Sequence, residues 1–324
     1  MAFEPSLIIS PIFSGFGARL DLLEKGVLLP PTEPIDVTLQ LARNLIGTDF
    51  GAKGPRYTPT KTPLNTELPA GARYLNPGTI TTDNTAVLFD GWDLTGYSFY
   101  LTQGQTTLID TIVARANAFV VDRRGSAFFT AKWSDLDGMK SPFESTMIVS
   151  RSAQGGMDIS DSKIHGAGAD HISVSSNTAI QRSWVYDGWN STNPILHAEP
   201  IQLLTASNGY ANLVFKDNLL DSGYKDTASI IRLVTEKSDA KLDNVLIQGN
   251  VMLRNASRED VPIAIGAKVG AGPVSNVRIL DNWLRYGTPK PLYPYAVPGG
   301  TALWKNNRLA DTGSFIDTPS GWSS

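Results

Sequence analysis

Cysteine is absent from all 324 residues. That excludes disulfides and thiolate metal sites without fixing the compartment, because many exported bacterial and viral proteins also do without it. A dominant charge is missing too. Lys and Arg number 28 against 31 Asp and Glu, for a formal net charge of −3. No basic stripe gathers along the chain, so nucleic acid is not an expected partner. No apolar run is long enough to cross a bilayer, so no membrane span is expected. The first 21 residues have neither the basic n-region nor the continuous apolar h-region of a signal peptide. Ser14 and Gly15 interrupt the apolar stretch from Phe13 to Phe16, and Arg19 and Asp21 follow closely. Either the chain is not exported by the usual route, or an initiator methionine has replaced a leader.

Long helical periodicity is scarce as well. What is present is a core-forming composition, 41% apolar and 18% charged, with 29 Gly and 20 Pro spread along the chain. Such a chain buries a core and turns often. Residues 1–75 differ from the rest, with Pro30, Pro31, Pro34, Pro55, Pro59, Pro63 and Pro69. Within them, Ile35 to Ile46 places Val37, Leu39, Leu41, Leu45 and Ile46 in a pattern that predicts a short amphipathic helix. This stretch reads as a cap or attachment segment. From Thr79 onward, short alternating segments such as Ala86–Phe89 and Thr107–Val113 are separated by Gly, Asn and Asp, which predicts an all-β architecture.

Internal repeats choose among the all-β alternatives. Six segments align beneath one another: Ile159–Ile164, Ile180–Val185, Phe215–Leu220, Ile247–Met252, Ile279–Leu284 and Trp304–Leu309. Each reads apolar, two variable, small polar, variable, apolar, and the polar position holds Ser162, Ser183, Asn218, Asn250, Asn282 and Asn307. Successive offsets are 21, 35, 32, 32 and 25 residues, one coil plus a loop of variable length. Asn at a sharp bend tolerates left-handed backbone and bonds neighbouring main chain. Stacked coils would set these amides in a ladder about 4.8 Å apart, the spacing of paired strands. A second strand per repeat follows, with Ile172, Ile201, Ile231 and Ile263 as an inward row. Alternation then turns Ser173, Gln202, Arg232 and Ala264 outward. The expected fold is a right-handed parallel β-helix over residues 76–310, preceded by the Pro-rich segment and followed by a tail, residues 311–324.

This arrangement resembles the pectin-lyase-like right-handed β-helix superfamily, which includes polysaccharide lyases, glycoside hydrolases, epimerases and phage tailspikes. The resemblance covers Met147 to Leu309 closely and Thr79 to Thr146 loosely. Asp49-Phe50-Gly51-Ala52-Lys53-Gly54 also looks like the lead-in segment of many tailspikes, although Pro55-Arg56-Tyr57-Thr58-Pro59 follows it instead of an acidic helix. The hydrolase pattern of paired and single aspartates with Gly-His-Gly and Arg-x-Lys is absent. So is the calcium-binding aspartate set of pectate lyases, and no motif calls for a cofactor, calcium included. The resemblance implies a fold more securely than an activity.

Polar residues able to do chemistry gather in three successive coils. Asp170 and Glu199 each precede an inward Ile by two positions, so they should stack about 5 Å apart on neighbouring coils. Two such carboxylates cannot both ionise freely, and one could act as an acid. A separation of about 5 to 5.5 Å belongs to retaining sugar hydrolysis. A lyase would instead use His197 or Lys225 as base, with Arg232 neutralising a uronate carboxylate. The catalytic candidates are Asp170, His197, Glu199 and Arg232. The substrate-binding candidates are His171, Tyr186, Asp187, Trp189, Gln202 and Lys225, with Tyr186 and Trp189 stacking on sugar faces. Blander roles stand beside these: Asp170 and Glu199 as strand-start residues bonding turn amides, His171 on the surface, Trp189 packed under a loop, Arg232 paired with Glu236.

The leading expectation is a carbohydrate-recognising protein of a phage virion, tailspike- or fibre-like, that binds a surface polysaccharide and depolymerises it if the acid cluster is catalytic. It would be a homotrimer, because coils set side by side bury one face of each, joined to other virion proteins through its N-terminal segment. The alternatives are a secreted bacterial polysaccharide lyase or glycoside hydrolase, extracellular or periplasmic with its leader removed, and a non-catalytic structural β-helix.

Overall fold

The computed structural model describes residues 34–83, 85–116, 118–140, 146–152, 154–187, 199–203, 209–221, 229–253, 263–267, 272–285, 292–294 and 302–323. The expected helix is present and runs Pro34–Ile46. Proline at its start loses nothing, since the first amides of a helix have no intrahelical partner. Gly47 ends it at φ 71°, and its amide donates to Arg43 O at 2.9 Å, a left-handed cap that glycine reaches without strain. The chain divides into two compact units between Leu41 and Ala42.

The second unit is a parallel β-helix. Its strands form three sheets of ten, nine and nine. Each coil contributes one strand to each sheet in the order first, second, third. Thr79–Thr82, Ala86–Asp90 and Asp93–Thr95 make the first coil, and Leu292–Pro294, Ala302–Lys305 and Arg308–Leu309 make the last. All coil-to-coil pairing is parallel among the described residues; Ala72–Asn76 pairs antiparallel with Thr79–Thr82 at the N-terminal end.

Register puts like on like. Ile148, Ile172, Ile201, Ile231 and Ile263 pair in sequence along the first sheet, all with no solvent exposure. Ile159, Ile180, Phe215, Ile247, Ile279 and Trp304 do the same in the second. Burying one such side chain is worth about 1.5–3 kcal/mol, so a register slip of one residue would turn a whole apolar row outward. The interior also admits one cation: Arg123 is fully buried and faces the Ser150 and Ser175 hydroxyls and the carbonyls of Ala127, Ser152 and Gln154. Burial lowers its pKa to about 10.

The polar ladder is present at every predicted rung. Asn250 Oδ1 accepts from both the backbone amide and Nδ2 of Asn218, at 3.0 and 2.9 Å, while its own Nδ2 donates to Phe215 O at 2.8 Å. Asn282 and Asn307 repeat this arrangement. Ser183 and Ser162 continue it through their hydroxyls, and Ser134 adds a rung the alignment did not include. One expectation is corrected. The left-handed residue at the bend is not the ladder residue but the one before it. Asp110, Trp133, Asp161, Arg182, Asp217, Gly249, Asp281 and Asn306 all have φ between 47° and 66°. The ladder side chain instead points into the coil, where Asn218, Asn250, Asn282 and Asn307 are fully buried.

The Asp49–Gly54 segment and the residues after it lie along this row of bends. Lys53 Nζ meets Asp161 at 2.8 Å, Arg56 meets Asp110 at 2.5 Å, and the Tyr57 hydroxyl donates to Asp90 at 2.9 Å.

The ladder makes a quantitative prediction. Asn250→Ala strips the acceptor from Asn218 and removes the Nδ2 donor from Phe215 O, and should cost about 3 kcal/mol or more. Asn250→Ser should cost roughly half of that, because Ser162 and Ser183 show that a hydroxyl can hold a rung. Urea unfolding measures both; equal losses for the two variants would mean that the hydrogen bonds are not what the site contributes.

Candidate functional site

Each strand of the first sheet from Ile148 to Ile231 begins at its inward isoleucine, and an equivalent position stands two residues before it. Those positions are Thr146, Asp170, Glu199 and Ser229, and all four are buried. The main chain locks them together: Met147 N donates to Asp170 O at 3.0 Å and His171 N to Glu199 O at 3.1 Å. Asp170 and Glu199 are 7% and 1% exposed. Their carboxyl groups interact directly across the two coils.

Two carboxyls in contact need a proton between them. Burial, and then the negative charge of Glu199, raise the Asp170 pKa well above the ordinary carboxylate value. A second observation agrees. Glu199 Oε1 is buried and finds no donor in the protein, as expected of an oxygen that faces another carboxyl. The remaining valences of Asp170 are filled: Oδ1 accepts from the Glu199 amide at 3.0 Å, and Oδ2 from Gln202 Nε2 and the Thr146 hydroxyl. Gln202 and Thr146 also bond Ser173 Oγ, at 3.2 and 2.9 Å. The bland role and the chemical one coexist here, because Asp170 does bond a turn amide.

Acid over acid is exceptional in this fold. At the bends the acidic residues are kept apart by intervening coils: Asp110, Trp133, Asp161, Arg182, Asp217, Gly249 and Asp281 succeed one another. On the third sheet Asp135 pairs with Lys163 and Asp137 with His165. In these columns no acid stands directly over another, whereas at Asp170 and Glu199 one does.

The other candidates fall in different places. Gln202 and Arg232 share the outward row as expected, with Arg232 Nη2 3.2 Å from Glu236 Oε1. His171 is not on the surface but fully buried. Its Nε2 lies 2.8 Å from Tyr186 O, a contact that makes Nε2 the protonated nitrogen of the neutral ring. Burial lowers its pKa to about 4, so it stays neutral near pH 7. Tyr186 and Asp187 belong to the third sheet and its end, apart from the acid pair. The Tyr186 ring stacks on Trp184 at 3.7 Å and on His165 at 4.9 Å, and Asp187 pairs with Lys140 at 2.9 Å. Trp189, His197 and Lys225 lie outside the described residues.

Thr146 and Ser173 were not among the sequence candidates. Thr146 was findable, since it precedes Ile148 by the same two positions that mark Asp170 and Glu199. Ser173 stood in the outward row but carried no chemical signal of its own. Among the described residues no group of three or more His, Asp or Glu is arranged to hold a metal ion. No protein-family model, curated protein or solved structure matches this chain.

The raised Asp170 pKa fixes the sign of a pH effect. Between the unfolded value near 3.8 and the higher folded one, the native state binds the extra proton, so this group's contribution to stability falls as pH rises through that window. Asp170→Asn has no such titration. The melting temperature of the unaltered protein, relative to Asp170→Asn, should therefore drop from about pH 4 to pH 8. Parallel melting curves across that range would show that Asp170 is ionised throughout.

Proposed function

We propose that this chain recognises a polysaccharide and that the Asp170–Glu199 pair is its proton-transfer centre. The observation that carries this is the buried acid-over-acid contact on the first sheet, beside the outward Gln202 and Arg232. The parallel β-helix supports it, being a fold that suits carbohydrate-binding and carbohydrate-degrading proteins generally.

Carboxyls in contact act as one unit holding one proton. Retaining hydrolysis places its two carboxyls about 5 to 5.5 Å apart, and inversion places them wider. The pair therefore fits a single role, giving or taking a proton at one substrate atom, better than the two roles of a glycosidase. In a lyase it would take the proton α to a uronate carboxylate. Arg232, now on Glu236, would exchange that partner for the substrate carboxylate. In the finer form of this proposal the chain is a phage tailspike- or fibre-like virion protein, trimeric and attached through its N-terminal segment; the Asp49–Gly54 motif favours it. The near-complete burial of both carboxyls favours a second reading, recognition without turnover.

A panel of acidic and neutral polysaccharides tests the proposal. A lyase yields the ultraviolet absorbance of an unsaturated product, and a hydrolase yields new reducing ends without it. Glu199→Gln should lower turnover about a hundredfold or more with little change in melting. Unchanged turnover in that variant would move the pair to a structural role, and glycan binding without either product would leave recognition alone.

A further inference from the structure

The second sheet carries an exposed feature on a face separate from the acid pair. Asn177, Asn212, Asn244 and Asn276 are all exposed and all left-handed, with φ between 52° and 59°. Each stands two residues before a register position: Ala179, Val214, Leu246 and Arg278 pair in succession. The first three amides form a chain, whereas Asn276 Nδ2 donates to Asp243 Oδ1 at 2.7 Å and Arg278 Nη2 reaches Asn244 Oδ1. Asn177 Nδ2 donates to Gly155 O at 3.0 Å, Asn212 Nδ2 to Asn177 Oδ1 at 2.9 Å, and Asn244 Nδ2 to Asn212 Oδ1 at 2.9 Å. A carboxamide has two N–H donors and two acceptor lone pairs. Each link uses one of each, which leaves Asn177 and Asn212 further hydrogen-bonding capacity at the exposed face. Beside the amides runs the half-buried aliphatic strip Ala179, Val214 and Leu246. Beyond it Gln181, Lys216 and Gln248 form a third column.

We propose that this face is a glycan-binding surface, taking a polysaccharide chain laid along the coil axis. The strip would meet the C–H face of the sugar rings, and the amide columns on either side would meet their hydroxyls. Both kinds of contact recur at the coil spacing of about 4.8 Å, which suits a polymer better than a single small molecule. A second copy of this chain fits less well. Stable protein interfaces bury about 800 Å² per partner with an apolar centre, whereas this strip is one side chain wide and hemmed in by hydrated amides. The proposal rests on the polysaccharide reading above but places binding on a different sheet from proton transfer.

Two outward substitutions, Leu246→Glu and Val214→Glu, test it in the full chain, with melting curves to confirm folding. Affinity is measured by titration with a neutral β-glucan and with polygalacturonate, alongside Glu199→Gln. The expected result is an affinity loss of about tenfold or more in Leu246→Glu and Val214→Glu. Wild-type affinity in both strip variants, while the unaltered protein binds glycan, overturns this surface and leaves the proposed function standing. Loss of binding in Glu199→Gln alone would assign recognition to the first sheet instead. If the unaltered protein binds neither polymer, the polysaccharide reading itself falls. A change of oligomeric state in Leu246→Glu by sedimentation would make the face a contact between copies and overturn the glycan assignment.

Discussion

A buried backbone amide must find an acceptor, and at six successive bends, from Ser134 to Asn282, a side chain one coil away supplies it. Asn218 N reaches Asn250 Oδ1, Asn250 N reaches Asn282 Oδ1, and Asn282 N reaches Asn307 Oδ1, each at 3.0 Å. No coil is complete by itself, so equivalent positions must stand in register for any of them to be satisfied. Everything else in the β-helix, from the isoleucine row to the placement of the acid pair, inherits that register.

That dependence explains why the fold was legible in the sequence. An interior column repeats the same physical demand in every coil, and so repeats the same residue type: Ile along the first sheet, Asn or Ser at the bend. The demand at the left-handed position is weaker. Gly249, Asp217, Arg182 and Trp133 all occupy it, and a position so variable leaves no pattern to align. Sequence reasoning therefore gave the left-handed geometry to the conspicuous Asn instead of its neighbour. Ser134 was overlooked for a related reason. Its segment, Ala131 to Leu136, begins with a small residue in place of the usual large aliphatic, although Ala131 pairs with Ile159 and is fully buried.

The candidate site was legible in its register but not in its environment. Spacing alone put Asp170 and Glu199 on neighbouring coils. It could not give their burial, because that depends on what lies over the outer face of the sheet, and outward positions share no common demand. Ser173 and Gln202 are register partners, yet Ser173 is buried and Gln202 is only half so. The same limit applies to His171, which strand alternation cannot place because it precedes the strand and turns toward the third sheet.

Stacking also sharpens what an unusual column means. In a fold that puts each residue about 4.8 Å from its equivalents, any charge faces its own kind unless the next coil differs. The bend column interleaves acids with a cation and glycine, as Asp161, Arg182, Asp217 and Gly249 do. The strap residues Lys53 and Arg56 extend that compensation to Asp161 and Asp110. Among the described residues Asp170 and Glu199 have no such relief. Their contact is made tolerable by a proton, and that proton is held where burial makes it costly to lose. An asparagine at position 170 would set an N–H against one of the donors that the two carboxyl oxygens now accept from, so the carboxyl also serves these hydrogen bonds. What the acids add is a proton that can be given up and taken back, which is a chemical property more than a structural one.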